Sequence, residues 1–302
     1  MRTEELHRFR GCLLGLAVGD AVGTTVEFRS RGTFSPVTDM VGGGPFRLAP
    51  GQWTDDTSMA LALATSLLTI GGFDAADQMN RYCDWYDRGS LSSTGTCFDI
   101  GNTVRQALER YKASQDPFSG STAANTAGNG SLMRLAPVPM FYFPDRDRAL
   151  HFAAESSRTT HGAVECVEAC QLFAEMLLQA LAGGDKSDVL FANEVETSAP
   201  AIQAIAQGAY RKKAIDEIRG TGYVVESLEA ALWCFWTTDT FEQAILTAAN
   251  LGDDADTTAA ICGQVAGAFY GETGIPDQWL QQLYWREQIT AIADQLGVAD
   301  PA

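Results

Sequence analysis

The chain has 302 residues, 46% of them hydrophobic, and a formal net charge of −17 at pH 7. This length and composition are those of a globular protein that can bury a sizeable core. The acidic balance argues against a nucleic-acid-binding protein, because such proteins normally carry a basic patch that neutralises phosphates. The densest basic spot, residues 211–213, is followed by Asp216 and Glu217, which is typical of a solvated helix face.

The N-terminal residues and the cysteines indicate a cytoplasmic protein. The first ten residues are polar and contain two glutamates, which is unlike a signal peptide. No run approaches the ~20 apolar residues of a membrane span. The seven cysteines are odd in number, contain no CxxC pair and mostly fall in apolar runs, so we expect reduced, buried thiols. We also expect a monomer that does not bind membranes.

The first predicted helix covers residues 3–23 and carries an unusual stripe of glycines. They stand four residues apart, which places all of them on one helix face, at positions 11, 15, 19 and 23. Each glycine costs a helix roughly 1 kcal/mol relative to alanine. Four glycines on one stripe therefore predict a face that another backbone approaches closely.

The remaining pattern predicts further helices in an all-α chain. A Gly-, Pro- and Ser-rich loop at 30–52 precedes an apolar helix at 57–69, and a second loop covers 114–132. Period-two alternation is almost absent, and the best strand candidate, 137–143, is weakened by its prolines. We predict one all-α domain over 1–302, whose other helices lie at 73–88, 101–113, 145–157, 162–183, 187–207, 224–237 and 240–250, with a final pair beginning near 256 and 277.

Two acidic segments, GQWTDDTSMA at 51–60 and NLGDDADTTAA at 250–260, each precede a small-residue helix. One such segment alone is typical of a helix cap. Two are harder to explain in this way, because Asp253, Asp254 and Asp256 repel one another, and a helix N-terminus offsets only about 0.3–1 kcal/mol per charge. Carboxylates and hydroxyls are ligands for Mg²⁺, Mn²⁺ or Ca²⁺ rather than zinc. If the two segments meet, their acids can hold two ions ~3.5–4 Å apart.

A third acidic stretch, GDAVGTTVEF, contains Asp20 and Glu27. Taken alone, Asp20 is typical of a cap or an ion pair, and Glu27 is typical of a surface loop.

Six segments in order resemble a known family: GDAVGTTVEF, GQWTDDTSMALAL, FDIGNT, AGNGSLMRLAP, TH at 160–161 and GDDADTTAAICGQVAGAFYG. They resemble the ADP-ribosylglycohydrolases from about residue 8 to 285, most closely the bacterial dinitrogenase-reductase-activating type, which removes ADP-ribose from an arginine. The resemblance implies a compact, orthogonal multi-helix bundle whose cleft holds two Mg²⁺ or Mn²⁺ ions.

The resemblance also implies roles for the acidic residues. Glu27 matches the glutamate near the metals that positions or deprotonates water, which replaces its interpretation as a surface residue. Asp99 and Asn102 match the loop over the scissile bond, where a carboxylate can accept hydrogen bonds from a guanidinium and so favour arginine over serine. The implied metal ligands are Thr54, Asp55, Asp56, Asp254, Asp256 and Thr257.

The remaining matches concern ADP-ribose itself. His161 resembles a ribose or diphosphate contact and Tyr223 the aromatic that stacks on adenine, although without the resemblance both are typical of structural residues. Backbone N–H groups of a loop can bind phosphate without Lys or Arg. The loop that resembles a diphosphate-binding segment contributes Gly128, Asn129, Gly130, Ser131 and Met133.

Several alternatives stay open. The relatives commonly carry glycine where this chain has Asp253, which is either an indirect partner of the metals or an acid facing water. The protein could bind ADP-ribose and metal without turnover and act on a partner by occlusion. It could also hydrolyse another linkage, to serine, a free guanidine or nucleic acid. An isoprenoid-type diphosphate enzyme is disfavoured, because DDxxD spacing is absent. The expected partner is a mono-ADP-ribosylated protein or a small ADP-ribosylated substrate.

Overall fold

The computed structural model describes residues 2–191 and 194–300, and these residues form α-helices and short helical turns without a β-strand. The all-α class is therefore confirmed. The helices are α1 (Thr3–Gly23), α2 (Asp55–Ile70), α3 (Ala75–Arg88), α4 (Asn102–Ser114), α5 (Pro137–Tyr142), α6 (Arg146–Arg158), α7 (Val164–Ala182), α8 (Lys186–Phe191), α9 (Pro200–Ala206), α10 (Val224–Thr237), α11 (Phe241–Ala249), α12 (Ala255–Tyr270), α13 (Asp277–Gln282) and α14 (Arg286–Gly297).

The glycine stripe of α1 packs against the backbone of α12, as the sequence predicts. A methyl group at Gly15 would lie 2.3 Å from the carbonyl oxygen of Gly263, and one at Gly19 would lie 2.1 Å from that of Ala259. The partner numbers fall along α12 as they rise along α1, so the two helices are antiparallel. This arrangement brings the C-terminal end of α1 beside the N-terminal end of α12.

The buried side chains form one continuous hydrophobic core that draws on most of the helices. One helical segment, Thr3–Val26, is long and apolar enough to cross a membrane by length and composition, but 89% of its apolar window is buried inside the protein. That burial is typical of a core helix. The seven cysteines are free thiols, as expected, and five of them are fully buried.

Two predicted elements are wrong. The strand candidate at 137–143 is helix α5, which begins with Pro137 at a first-turn position where a missing N–H breaks no helical hydrogen bond. The single helix predicted over 187–207 is replaced by α8 and α9, and residues 192–193 between them lie outside the described chain. Pro200 opens α9, because the residue before a proline is disfavoured in helical conformation.

Candidate active site

A cavity of about 770 Å³ opens where the segment that follows α1 meets α2, α4, α12 and the loop that precedes α5. We call its carboxylate-rich side, around Glu27, Asp254 and Asp256, the acidic end, and the side formed by residues 128–131 and His161 the amide end. Twelve of the sixteen predicted site residues line it: Glu27, Asp55, Asp99, Asn102, Gly128, Asn129, Gly130, Met133, His161, Asp254, Asp256 and Thr257.

Asp20 connects α1 to the N-terminus of α2. Its carboxylate accepts hydrogen bonds from the backbone N–H of Thr54 at 2.9 Å and of Thr57 at 3.1 Å. The hydroxyls of both threonines also donate to it, at 2.9 and 2.7 Å. Asp20 is fully buried. Because its hydrogen bonds fix Thr54 and Thr57, it also positions Asp55 and Asp56, which lie between them in the first turn of α2. The sequence placed Asp20 in a motif and allowed a capping role, but no local signal connected it to residues 54–57.

Glu27 accepts hydrogen bonds from the N-terminus of α12, as Asp20 does from that of α2. Its Oε2 accepts hydrogen bonds from the backbone N–H groups of Ala255 at 2.8 Å and Asp256 at 3.2 Å. Glu27, Asp254 and Asp256 each present a carboxylate oxygen within 4.8 Å of the others. The glutamate predicted to stand near the metals therefore lies inside the acidic cluster and is buried rather than on the surface.

The oxygens at the acidic end outnumber the available hydrogens. Thr54 Oγ1 lies 3.4 Å from Asp56 Oδ2 and 3.3 Å from Asp256 Oδ2, while its one hydrogen has a shorter partner in Asp20. Thr257 Oγ1 lies 3.4 Å from Asp56 Oδ2. Asp56 Oδ1 is buried and has no hydrogen-bond partner. Buried carboxylate and hydroxyl oxygens that lack donors fit a hard divalent cation.

The pKa values of these acids also reflect the crowding of buried carboxylates. Burial and repulsion by Asp256 raise the pKa of Asp20 and of Asp254 to about 7. The same two causes raise the pKa of Asp99 to about 11 and hold that of Glu27 far above its usual range. Burial also raises the pKa of Asp55 and Asp56, followed by repulsion from the acids around them. A bound cation would reverse this effect, because it favours the ionised form.

The loop before α4 brings Asp99 to the acidic end. Asp99 adopts a left-handed conformation with φ 61° and lies within hydrogen-bonding reach of Asp256. Asn102 is exposed at the start of α4, where its Oδ1 accepts a hydrogen bond of 3.1 Å from Arg105. Asp253 also lines the cavity, and its backbone carbonyl accepts a hydrogen bond of 2.8 Å from Phe28.

The amide end is built from backbone and histidine. Among the described residues, the N–H groups of Gly130 and Ser131 find no hydrogen-bond acceptor. The side chain of Ser131 faces away from the cavity, and its hydroxyl accepts a hydrogen bond of 2.9 Å from Ser157. His161 is 2% exposed, and its Nδ1 lies 2.9 Å from the hydroxyl of Thr160. Adjacent free N–H groups are a binding site for anions.

Asn129 joins the two ends. Its side-chain amide donates to Asp254 and, at 2.7 Å, to the hydroxyl of Ser227. Tyr223 lies outside the cavity lining, beside Gly222, and its hydroxyl donates to Glu165 at 2.7 Å. It is 38% exposed, so its interpretation as a core aromatic is wrong.

Sequence reasoning missed several residues that form this site. Phe28 and Phe46 line the cavity beside the acids, with ring centroids 6.2 Å apart, and Arg134 lies buried behind the amide end. Phe28 is 66% exposed in a left-handed conformation, which nothing in the local sequence signals. Arg134 stands in the quoted segment AGNGSLMRLAP, but its sequence neighbours do not indicate that it is buried.

The described chain is an all-helical fold with acidic helix N-termini at one end of a cavity and free peptide N–H groups at the other, an arrangement whose chemistry suits a cation at the first end and an anion at the second. The ADP-ribosylglycohydrolase family matches residues 1–301, and the chain belongs to that family. The family resemblance is thus confirmed.

Relatives and a solved structure agree with this assignment. The ADP-ribosylarginine hydrolase Tri1 of Pseudomonas putida is 48% identical over 293 residues, which cover 97% of this chain and 78% of that protein. The ADP-ribosyl-[dinitrogen reductase] glycohydrolase of Rhodospirillum rubrum is 33% identical, with 91% of this chain and 90% of that protein covered. A solved structure described as an ADP-ribosylglycohydrolase-related protein complex superposes with a TM-score of 0.87 at 44% identity, covering 98% of this chain and 99% of that one.

Proposed function

We propose that this protein hydrolyses the bond between ADP-ribose and an arginine side chain. The observation that carries the proposal is the joint presence, in one cavity, of clustered carboxylates and free peptide N–H groups. ADP-ribose has the complementary shape, with a diphosphate in the middle and a ribose that carries the scissile bond at one end. Two relatives at 48% and 46% identity named ADP-ribosylarginine hydrolases support arginine as the leaving group.

Two Mg²⁺ or Mn²⁺ ions are the proposed cofactors. The buried oxygens of the acidic end that lack hydrogen-bond donors support a cation site. Carboxylate and hydroxyl oxygens are ligands that suit hard ions. When bound, such ions orient hydroxyls and lower the pKa of a water molecule. The residues proposed to hold them are Thr54, Asp55, Asp56, Asp254, Asp256 and Thr257.

Glu27 and Asp99 are the proposed catalytic residues. Oε2 of Glu27 is occupied by two backbone N–H groups, which leaves Oε1 to orient the attacking water and accept its proton. The hydroxide oxygen bonds to C1″ of the ribose while the bond from C1″ to the guanidine nitrogen breaks, and that nitrogen takes up a proton equivalent to the one that Glu27 accepted from water. Asp99 holds the guanidinium with a charged hydrogen bond. The positive charge that develops at C1″ is stabilised by the surrounding carboxylates.

The rest of the cavity is proposed to bind ADP-ribose. The N–H groups of Gly130 and Ser131 would donate to the diphosphate, with Gly128, Asn129 and Met133 as neighbours of the same loop. His161 would contact the diphosphate or the adjoining ribose. We assign Asn102 to the ribose end and Tyr223 to the adenine, at the outer rim.

The physiological substrate is proposed to be a mono-ADP-ribosylated protein or a small ADP-ribosyl-guanidine. The net charge of −17 disfavours a nucleic-acid substrate. We place the protein in the cytoplasm as a monomer with one functional domain.

Release of free ADP-ribose tests the proposal. The substrates are an ADP-ribosyl-arginine protein and an ADP-ribosyl-serine peptide, each with Mn²⁺, Mg²⁺ or EDTA. We expect metal-dependent release from arginine, and Asp55→Asn is the matched inactive control. Release from serine alone would overturn the arginine assignment. No release from a protein that binds metal and ADP-ribose would favour a binding protein that acts by occlusion.

A further inference from the structure

Arg134 is a buried cation without a carboxylate partner. It is 0% exposed and the only arginine or lysine among the described residues that is buried. No ion pair of the described chain includes it, and its Nε has no hydrogen-bond partner. Its guanidinium lies 4.6 Å from the ring centroid of Tyr82, which offsets part of the lost hydration. An uncompensated buried charge is costly, so its position calls for a physical explanation.

The guanidinium holds the loop of the amide end. Arg134 Nη1 donates a hydrogen bond of 2.8 Å to the carbonyl oxygen of Gly130. In a planar trans peptide, the carbonyl and the following N–H point in opposite directions. The carbonyl of Gly130 faces Arg134, so the N–H of Ser131 points away from the arginine. This is one of the two N–H groups without an acceptor in the described chain.

The second terminal nitrogen of the guanidinium contacts Thr160, which in turn contacts His161. Arg134 Nη2 donates a hydrogen bond of 2.7 Å to Thr160 Oγ1. An arginine can only donate, so Thr160 accepts here, and His161 Nδ1, 2.9 Å away, is the only acceptor for the Thr160 hydroxyl hydrogen among the described residues. Nδ1 is then an acceptor, and the proton of the neutral ring sits on Nε2.

The ring of His161 is neutral and packed against the loop. Burial and the Arg134 charge lower its pKa to about 3. A methyl group at Gly130 would lie 3.3 Å from Nε2 and 2.8 Å from Cε1, and one at Gly128 would lie 3.3 Å from Nε2. Nε2–H is therefore presented beside the free amides, where an anion would receive donors from both.

We propose that Arg134 is a positioning residue for the diphosphate of the substrate. Its Nη1 orients the Gly130–Ser131 peptide. Its Nη2 holds Thr160, which fixes His161 as an Nε2–H donor; we call this second chain of contacts the relay. Its positive charge lies behind the amide end and attracts the two phosphates through a medium of low polarity. Since the described residues that line the cavity include no arginine or lysine, Arg134 is the side-chain cation that favours the anion from behind. This role rests on the proposed function, because it assumes that a diphosphate binds there.

The tautomer of His161 tests the relay without any activity assay. The chain has three histidines, so long-range ¹H–¹⁵N correlation spectra are simple, and His161→Gln assigns the signal. We expect Nε2–H in the wild-type protein at pH 7. We expect Thr160→Val, which leaves Arg134 in place, to mix the two tautomers. A protonated ring or an Nδ1–H tautomer in the wild type would overturn the relay, even if turnover is as proposed.

Binding and kinetics test the role toward the diphosphate. For Arg134→Met, we expect KM for ADP-ribosyl-arginine to rise about 10–100-fold, because charge-assisted hydrogen bonds are lost, while kcat changes less than about threefold. Arg134→Lys keeps the charge but not the two-armed fork, so it should recover part of the loss. Affinity for ADP should fall in parallel and Mn²⁺ affinity should not change. Arg8→Met is the matched control, because Arg8 also donates to a backbone carbonyl but is not among the residues that line the cavity.

The outcomes separate this proposal from the proposed function. A folded Arg134→Met protein with wild-type KM and ADP affinity would overturn the positioning role. An equal fall in kcat, ADP affinity and Mn²⁺ affinity would also overturn it, because it would indicate general disruption. If Arg134→Met does not fold, the Thr160→Val spectrum and KM decide. A wild-type protein that binds no ADP-ribose would refute the proposed function, while the tautomer would still report on the relay.

Discussion

The two ends of the cavity carry opposite charges, and each is electrostatically incomplete. At the acidic end, carboxylates crowd the N-termini of α2 and α12, and Asp56 Oδ1 lacks any donor. At the amide end, the described residues provide no carboxylate for the buried Arg134 and no acceptor for two peptide N–H groups. Buried charge of either sign is costly to a fold unless a group of opposite sign completes it, and each end of the cavity leaves room for such a group.

The two ends of the cavity differ in what makes each of them suited to a ligand. The acidic end depends on charge, because its side chains repel one another and their pKa values rise. The amide end depends on shape, because backbone amides can reach an anion only where Gly128 and Gly130 leave room for the ring of His161. Substitutions should therefore act differently at the two ends: changes of charge should impair the first, and added atoms should impair the second.

The largest expected effect is at the acidic end. Asp256→Asn should lower metal-dependent turnover by about 10³-fold or more, because metal catalysis supplies several kcal/mol. The metal-free protein should be no less stable, since a repelling charge is removed from a buried cluster. ADP-ribose release with Mn²⁺ and thermal unfolding in EDTA measure the two effects. A fully active Asp256→Asn protein would contradict the assignment of the acidic end.

An added methyl group should impair the amide end alone. In Gly130→Ala the new carbon would lie 2.8 Å from His161 and 3.1 Å from Val104, so the ring must shift. We expect ADP-ribose affinity to fall about 10–100-fold, the cost of overpacking by 1–3 kcal/mol. Mn²⁺ affinity should stay the same. Calorimetric titrations with each ligand measure this, and Gly72→Ala, where the nearest atom is 3.9 Å away, is the control. Parallel loss of both affinities would show that the two ends are not independent.

The pH dependence of stability should distinguish the empty acidic end from the filled one. In the metal-free protein, burial and repulsion raise the pKa of Asp20 and Asp254 to about 7 from the ordinary value of 3.8. Between those pH values the folded state binds more protons than the unfolded state, so these two groups lower the free energy of unfolding as pH rises. A bound cation removes that penalty and stabilises the folded state by mass action.

The gap between unfolding temperatures in Mn²⁺ and in EDTA should therefore widen from pH 5 to pH 7.5. The difference between the two curves is the measurement, because titrating groups away from the cavity contribute equally to both. The other acids of the cluster, whose pKa values are raised by the same causes, add to the widening. A gap that is constant or narrows with rising pH would contradict the raised pKa values as the cause.

The smallest expected effect is at Asp253. This residue lines the cavity, but no hydrogen bond of its carboxylate occurs in the part of the chain that the structure describes. Its left-handed conformation, with φ 58°, is one that asparagine also adopts readily. Asp253→Asn should change kcat/KM less than about threefold. A loss near that of Asp256→Asn, in the same assay, would make Asp253 an indirect partner of the metals rather than an acid facing water.

Local pattern was sufficient for much of the fold. The glycines at 11, 15, 19 and 23 predicted a backbone contact because their spacing matches the helix period. The apolar run after Asp55 predicted α2 almost to its ends, although the helix begins two residues earlier than expected. The strand candidate at 137–143 was wrong because proline positions are ambiguous between a helix start and a strand edge.

The amino-acid sequence predicted a cation at the two acidic segments, because repulsion between neighbouring carboxylates is a local property. It also determined the family, through motifs whose order is independent of geometry. The three-dimensional fold was needed to show that α12 is the helix that meets α1, that Asp20 reaches Thr54 and Thr57, and that Arg134 lies behind Gly130. Those contacts join residues far apart in sequence or buried by packing, and their energies depend on distance and desolvation, which no local pattern records.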